Sequence, residues 1–209
     1  MALDLEEQEQ LDEAKAWWTQ HGNKVIWGVT AFLLAVAGWR AWDNYSHKQA
    51  YEASALFDKA LQAETMEDAK TAKAAAAQIM ENHGRSAYAT PAAWLSARIN
   101  LDAGDIKSAM AQYQYALDHA KDDGVAQLAR LRLAGVKLDA KDAAAALKLL
   151  EGSFDPAYQG LAAQLRGDTL IALNKPAEAK VAYKEALEKL GDKSSLKSLV
   201  EIRLDALGG

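Results

Sequence analysis

The chain has 209 residues, half of them apolar and a quarter charged, with no cysteine and a formal net charge of −5. That length holds one packed domain and an appendage rather than two large domains. The missing cysteine excludes disulfides, cysteine-ligated zinc and a thiol nucleophile, and the acidic balance supplies neither a basic face for nucleic acid nor a polybasic run for an anionic membrane surface.

Alanine is abundant and proline occurs only as Pro91, Pro156 and Pro176, a composition that predicts an all-α protein. Residues 1–20 read as an acidic amphipathic helix with Leu5, Leu11, Trp17 and Trp18 on its apolar side. Next comes KVIWGVTAFLLAVAGWRAW at 24–42, in which fifteen uncharged residues separate Lys24 from Arg40. That is shorter than the roughly 18 to 20 residues a span wants, but Lys24 and Arg40 can snorkel while Ala41 and Trp42 extend the apolar run.

Five of the six tryptophans (Trp17, Trp18, Trp27, Trp39 and Trp42) cluster around this stretch, the distribution of an interfacial aromatic belt. Its valines, isoleucine, leucines and phenylalanine together favour insertion by about 2 to 4 kcal/mol. A cleaved signal peptide competes, since Ala35, Val36 and Ala37 form an A-x-A sequence, and so does a buried soluble helix. Against cleavage, the first 24 residues carry Asp4, Glu6, Glu7, Glu9, Asp12 and Glu13 against only Lys15 and Lys24, whereas a signal peptide opens on positive charge. The reading is a single-span anchor. Ala31 and Ala35 offer it a small-xxx-small face for packing against another transmembrane helix. Lys15 and Lys24 before the span, against Arg40, Lys48 and Lys59 after it, lean toward an amino terminus outside.

Helix is expected to continue over 43–63, with another over 67–82 stopped at His83 and Gly84. Thr90 followed by Pro91 reads as an N-cap with proline in the first turn, and Asp155 followed by Pro156 repeats the device. AMAQYQYAL at 109–117 and AKVAYKEAL at 179–187 share the spacing A-x3-Y-x2-A-L, and ASALFDKAL at 53–61 carries it with phenylalanine. LDAKD at 138–142 precedes AAAALKLL, where Ala146 and Leu150 take the alanine and aromatic places. Ala109, Ala146 and Ala179 then recur about every 35 residues, near the 34 of a tetratricopeptide repeat. In that register Ala97 and Gly167 are the matching small residues of the first helices, Tyr113 and Tyr183 fill the gap beside the next repeat, and Asp105 and Asp142 cap the second helices. The expected architecture is a leading hairpin, three degenerate repeats from about 90 to 190, and a closing helix over 195–207. A generic alanine-rich bundle is the competing reading.

Chemistry is harder to find. His21, His47, His83 and His119 are scattered without metal-ligand spacing, and no phosphate loop or G-x-S-x-G occurs. Asp102 and Asp105 read as a helix end and a cap rather than a catalytic pair. No cofactor or metal is implied and the protein reads as non-enzymatic. The functional surface is therefore a groove, because the first helices of stacked hairpins line a concave side where extended peptides dock. Trp94, Arg98, Arg130, Gln164 and Asp168 are the candidates to face it, with core packing for Trp94 and plain solvation for the charged residues as the competing readings.

The acidic amino-terminal helix, the span ending in GWRAW at 38–42, ARLRLAGVKLDAKDAAAALKLL and LRGDTLIALNKPAEAKVAY together resemble the YfgM-like proteins of Gram-negative bacteria, ancillary subunits of the Sec translocon with tetratricopeptide-like domains. The likeness covers essentially the whole chain, GWRAW and LRGD at 165–168 being its more specific pieces. It implies residues 1–23 in the cytoplasm, a span at 24–42 in the inner membrane, and a periplasmic repeat domain at 43–209. It further implies association with SecYEG and with a membrane-anchored chaperone of the PpiD type, a part in passing emerging chains to periplasmic chaperones, and an influence on a stress-response regulator. The implied orientation departs from the basic-residue count. A membrane-anchored scaffold that sequesters the regulator is the alternative function.

Overall fold

The computed structural model describes residues 5–191 and 194–208, with side chains from residue 8 onward, so the expected placement of the Leu5 side chain lies outside the described residues. Among the described residues nine helices follow one another: α1 Leu5–Thr65, α2 Ala69–Asn82, α3 Ala89–Asp102, α4 Ile106–Asp118, α5 Asp123–Asp139, α6 Ala143–Leu149, α7 Pro156–Ala172, α8 Pro176–Lys189 and α9 Leu196–Asp205. No strand occurs among the described residues. The expected acidic helix, span and continuation form a single α1. The chain divides into two compact units, Met1–Gln49 and Ala50–Gly209.

In the first unit α1 is, among the described residues, the one helix long and apolar enough to cross a membrane. Trp27, Phe32, Leu34, Trp39 and Trp42 are each more than half exposed, which is incompatible with a buried helix of a soluble core. The aromatic rings fold along the helix. Trp17 stacks on His21 with centroids 5.2 Å apart, and the Trp18 ring lies where a side chain at Gly22 would begin, 3.0 Å from its Cβ position.

In the second unit the end of α1 pairs with α2, and α3 with α4, α5 with α6 and α7 with α8, while α9 closes the last pair. One device builds all four turns within these pairs. At the end of each first helix, the amides of Glu67, Gly104, Lys141 and Asn174 bond the carbonyls of Glu64, Leu101, Leu138 and Ile171, each at 2.9 Å. The next amides, of Asp68, Asp105, Asp142 and Lys175, reach back to Ala63, Asn100, Lys137 and Leu170 at 2.8 to 2.9 Å. This is the Schellman closure, which needs a left-handed residue. Glu67, Gly104, Lys141 and Asn174 accordingly have φ of 58, 75, 67 and 58°.

The following aspartates then start the second helices. Asp68, Asp105 and Asp142 accept the amides of Thr71, Ser108 and Ala145 at 3.0, 3.0 and 3.2 Å. Lys175 at the fourth turn has no capping oxygen, and Pro176 there presets the first helical φ instead.

Packing follows the same register. Ala60, Ala97, Ala134 and Gly167 on the first helices stand at one interval before Ala72, Ala109, Ala146 and Ala179 on the second, and all seven alanines are fully buried. Small residues at both places let the helix axes approach, and Tyr113, Leu150 and Tyr183 fill the space one turn on. The hairpin at the head of the series obeys the rule as well as the three expected repeats do. Its second helix carries Ala72, Ala76 and Ile79 in the repeat positions, so ASALFDKAL serves as a first helix.

Thr90 is a correction. α3 begins at Ala89 with Tyr88 before it, and Thr90 is inside the helix, buried, its hydroxyl donating to the His119 carbonyl at 3.5 Å. Packing against the end of α4 directs that hydroxyl away from its own backbone, and Pro91 is still within the first turn, where no intrahelical acceptor waits for an amide. Asp155 does precede α7 with extended backbone and Pro156 in first place, but its side chain makes no capping bond. The Asp155 amide instead donates to Gln127 Oε1 at 2.7 Å, tying the loop after α6 to α5.

Candidate functional site

Two of the turns that close the hairpins also shape the surface, because Glu67 and Lys141 line clefts beside a first helix of the following hairpin. Two clefts result, in equivalent places. The first, of about 440 Å³, lies between Glu64, Glu67 and Ala69 of the leading hairpin and Ile99, Asp102 and Ala103 of the second. The other, of about 410 Å³, lies between Leu138, Asp139, Lys141 and Ala143 of the third hairpin and Asp168, Ile171 and Ala172 of the fourth. Both open where a first helix ends against the turn of a neighbouring hairpin. Each cleft sets apolar residues beside charged ones.

The five residues singled out from the sequence are distributed unevenly over this surface. Arg98 is exposed on α3 and pairs with Glu64 at the rim of the first cleft. Asp168 lines the second cleft, yet its carboxylate is largely engaged. Oδ1 accepts the Tyr183 hydroxyl at 2.7 Å and pairs with Arg203 of α9, while Oδ2 accepts Gln164 Nε2 at 2.5 Å. Gln164 is buried, and so belongs to this network rather than to open surface. Burial first, then the bond to Asp168, pushes the Tyr183 hydroxyl above the ordinary tyrosine range.

Trp94 packs between α3, α4 and α5 among Ala97, Ala109, Leu133 and Ala129, with its indole nitrogen buried and without a partner. Arg130 holds the loop after α6. Its guanidinium stacks 3.8 Å from the centre of the Phe154 ring, and Nη2 donates to the Ser153 carbonyl at 3.0 Å. Desolvation pulls its pKa below the usual arginine value. The structure therefore brings Gln164 and Asp168 together, places Arg98 at the other cleft, and leaves Trp94 and Arg130 as parts of the frame.

Sequence reasoning missed Glu67 and Lys141, the turn residues that carry charge into the clefts, and Arg203. The repeat register contains the signal for the first two, since both occupy the place that Gly104 holds in the second hairpin. Among the described residues no group of three or more histidines or carboxylates is arranged to hold a metal ion. In the first unit Ala31 and Ala35 are both exposed, and Gly28 and Gly38 nearby on α1 have nothing within 4 Å of their Cβ positions.

Comparison with known proteins draws the two units together. Residues 15–209 match the tetratricopeptide repeat-like domain family. The chain is 26% identical over 207 residues to a protein of Escherichia coli K12 described as an ancillary SecYEG translocon subunit, covering 99% of each chain. Proteins of the same description from Haemophilus influenzae and Neisseria gonorrhoeae are each 28% identical, over 89% and 99% of this chain and 91% and 100% of theirs. A crystal structure of a tetratricopeptide repeat protein from Parabacteroides merdae superposes with a TM-score of 0.60 at 17% identity, over 76% of this chain and 61% of that one, a likeness of fold alone.

Proposed function

The chain belongs to the tetratricopeptide repeat-like domain family, and from that premise we propose that it is a non-enzymatic ancillary subunit of the Sec translocon. In this reading residues 24–42 cross the bacterial inner membrane, residues 1–23 lie in the cytoplasm, and the repeat domain at 43–209 works in the periplasm. There the groove binds partner proteins and helps pass translocated chains to periplasmic chaperones, with a PpiD-type chaperone as the neighbouring partner. The observation that carries the reading is that the match to relatives described as ancillary SecYEG translocon subunits runs through the span and the repeats alike, over nearly the whole of both chains.

Physical chemistry supports the division of labour. An exposed apolar helix needs lipid or a partner, and stacked hairpins supply a long surface for binding. Of the five candidate residues, Asp168 lines the second cleft and Arg98 pairs with Glu64 of the first, and in this reading these two meet a bound segment while Ala31 and Ala35 are the face offered to a partner's transmembrane helix.

Two measurements test it together. A carboxy-terminal tag should be digested by protease when only the outer membrane is permeabilised, and crosslinking from Arg98 should capture translocon or chaperone chains. Protection of the tag, or capture of neither, overturns the reading. A second reading, a membrane-anchored scaffold sequestering a stress-response regulator on the cytoplasmic side, is favoured by one observation: basic residues after the span outnumber those before it. Protection of the tag would support it.

A further inference from the structure

The two clefts are equivalent in position but not in charge. In the second, Lys141 stands beside Asp139, and Asp168 is held by Arg203, so the rim is balanced around an apolar floor of Leu138, Ile171 and Ala172. In the first, Arg98 neutralises Glu64, while Glu67 and Asp102 have no cationic partner among the described residues. The neighbouring Lys73 keeps its charge but stands outside the cleft lining, its Nζ donating to Asn100 Oδ1 at 3.1 Å and its charge acting on Asp105. The first cleft thus keeps surplus negative charge beside the apolar surface of Ile99, Ala69 and Ala103. Long basic side chains suit such a place, since an alkyl stem can lie on the floor while the charged head meets the rim.

We propose that the groove selects extended segments of other proteins that carry a basic side chain next to apolar ones, with the basic side chain entering the cleft of Glu64, Glu67 and Asp102 and an apolar one reaching the second cleft. This deepens the groove reading above and rests on it. Glu67 is the residue that makes the proposal separable from a structural role. Its φ of 58° is one that glycine adopts without strain, and Gly104 fills the same place one hairpin on. A chain needing only the turn loses nothing with glycine there, whereas a groove reading basic segments loses a carboxylate.

The test uses the full-length protein in detergent micelles and two labelled peptides of about a dozen residues, one alternating leucine with lysine and one alternating leucine with glutamate, followed by fluorescence anisotropy. The lysine peptide should bind at least about tenfold tighter, with the gap narrowing as salt rises from about 50 to 200 mM. Glu67→Gly combined with Asp102→Asn should cut the preference to about threefold or less, and Glu67→Gly alone should raise Tm while weakening the lysine peptide. Equal binding of the two peptides overturns the proposal and leaves the groove reading standing. Binding of neither overturns both. A preference that survives in the double variant also overturns the proposal, by assigning the attraction to the acidic amino-terminal segment.

Discussion

A Cβ placed on Gly167 of α7 would lie 2.4 Å from Cε1 and 2.5 Å from Cδ1 of Tyr183 on α8, closer than any side-chain contact tolerates. The last hairpin is therefore built on an absent methyl group, and Tyr183 occupies the space that absence leaves. Gly167→Ala sets helix propensity, which favours alanine by about 1 kcal/mol, against overpacking, which costs about 1 to 3 kcal/mol. Because the obstructing atoms belong to a fully buried ring, overpacking should win. Urea unfolding should show a net loss, and adding Tyr183→Leu should recover part of it by removing the ring.

The Tyr183 hydroxyl also joins three helices through Asp168, which Gln164 and Arg203 share. Holding the phenol above its ordinary value of about 10 means that the folded state favours the neutral form. The unfolded chain then ionises first, so this stabilisation is complete below pH about 10 and is lost as pH climbs through the unfolded value toward the folded one. Tyr113 and Tyr115, raised by burial, act in the same sense. Tyr183→Phe should cost about 1 kcal/mol at neutral pH by removing one hydrogen bond, and should make the alkaline decline of Tm shallower without abolishing it. An alkaline limb identical to that of the unaltered protein would show that the hydroxyl is not held as described.

At the acid end two capping carboxylates contribute. The hydroxyl and amide of Thr71 hold Asp68 below its usual range, and those of Ser108 do the same for Asp105. A lowered folded value gives stability that is present above the unfolded carboxylate value of about 3.9 and is lost as pH falls through the folded one. Asparagine caps a helix about as well as aspartate but does not titrate there. The double variant Asp68→Asn, Asp105→Asn should leave Tm near neutral pH almost unchanged and flatten its fall below pH about 4, as circular dichroism melts can measure.

How far the sequence foretold this depended on whether a feature was local. The alanine and tyrosine spacing, the caps at Asp105 and Asp142, and the small residues Ala97 and Gly167 were legible because each is fixed by a few neighbouring residues and by the repeat period. The break between 63 and 67 was expected, but not that Glu67 closes it, since a left-handed glutamate carries none of the glycine or asparagine signal that marks Gly104 and Asn174. Thr90 misled because its hydroxyl is claimed by a carbonyl on another helix. Site residues were least legible. Trp94 and Arg130 read as groove candidates by register, with core packing the competing reading for Trp94, and tertiary packing sets the indole against α4 and α5 and the guanidinium on Phe154 and Ser153. Asp168 was found by register too, while its partner Arg203 comes from a helix beyond the repeats.

The membrane face gives the last prediction. Ala31 and Ala35 lie one turn apart on α1 and both are exposed. If they are where another transmembrane helix packs, bulk at these positions should separate the partners without removing the anchor. Leucine suits that purpose, because each substitution makes insertion more favourable by a few tenths of a kcal/mol. The variant Ala31→Leu, Ala35→Leu should fractionate with membranes as completely as the unaltered chain, while recovery of translocon and chaperone chains from mild-detergent extracts falls several-fold. Val29→Leu, on a different side of the helix, serves as the comparison and should change neither. Undiminished recovery with the alanine variant would place the contact elsewhere, on the repeats or on another side of the span.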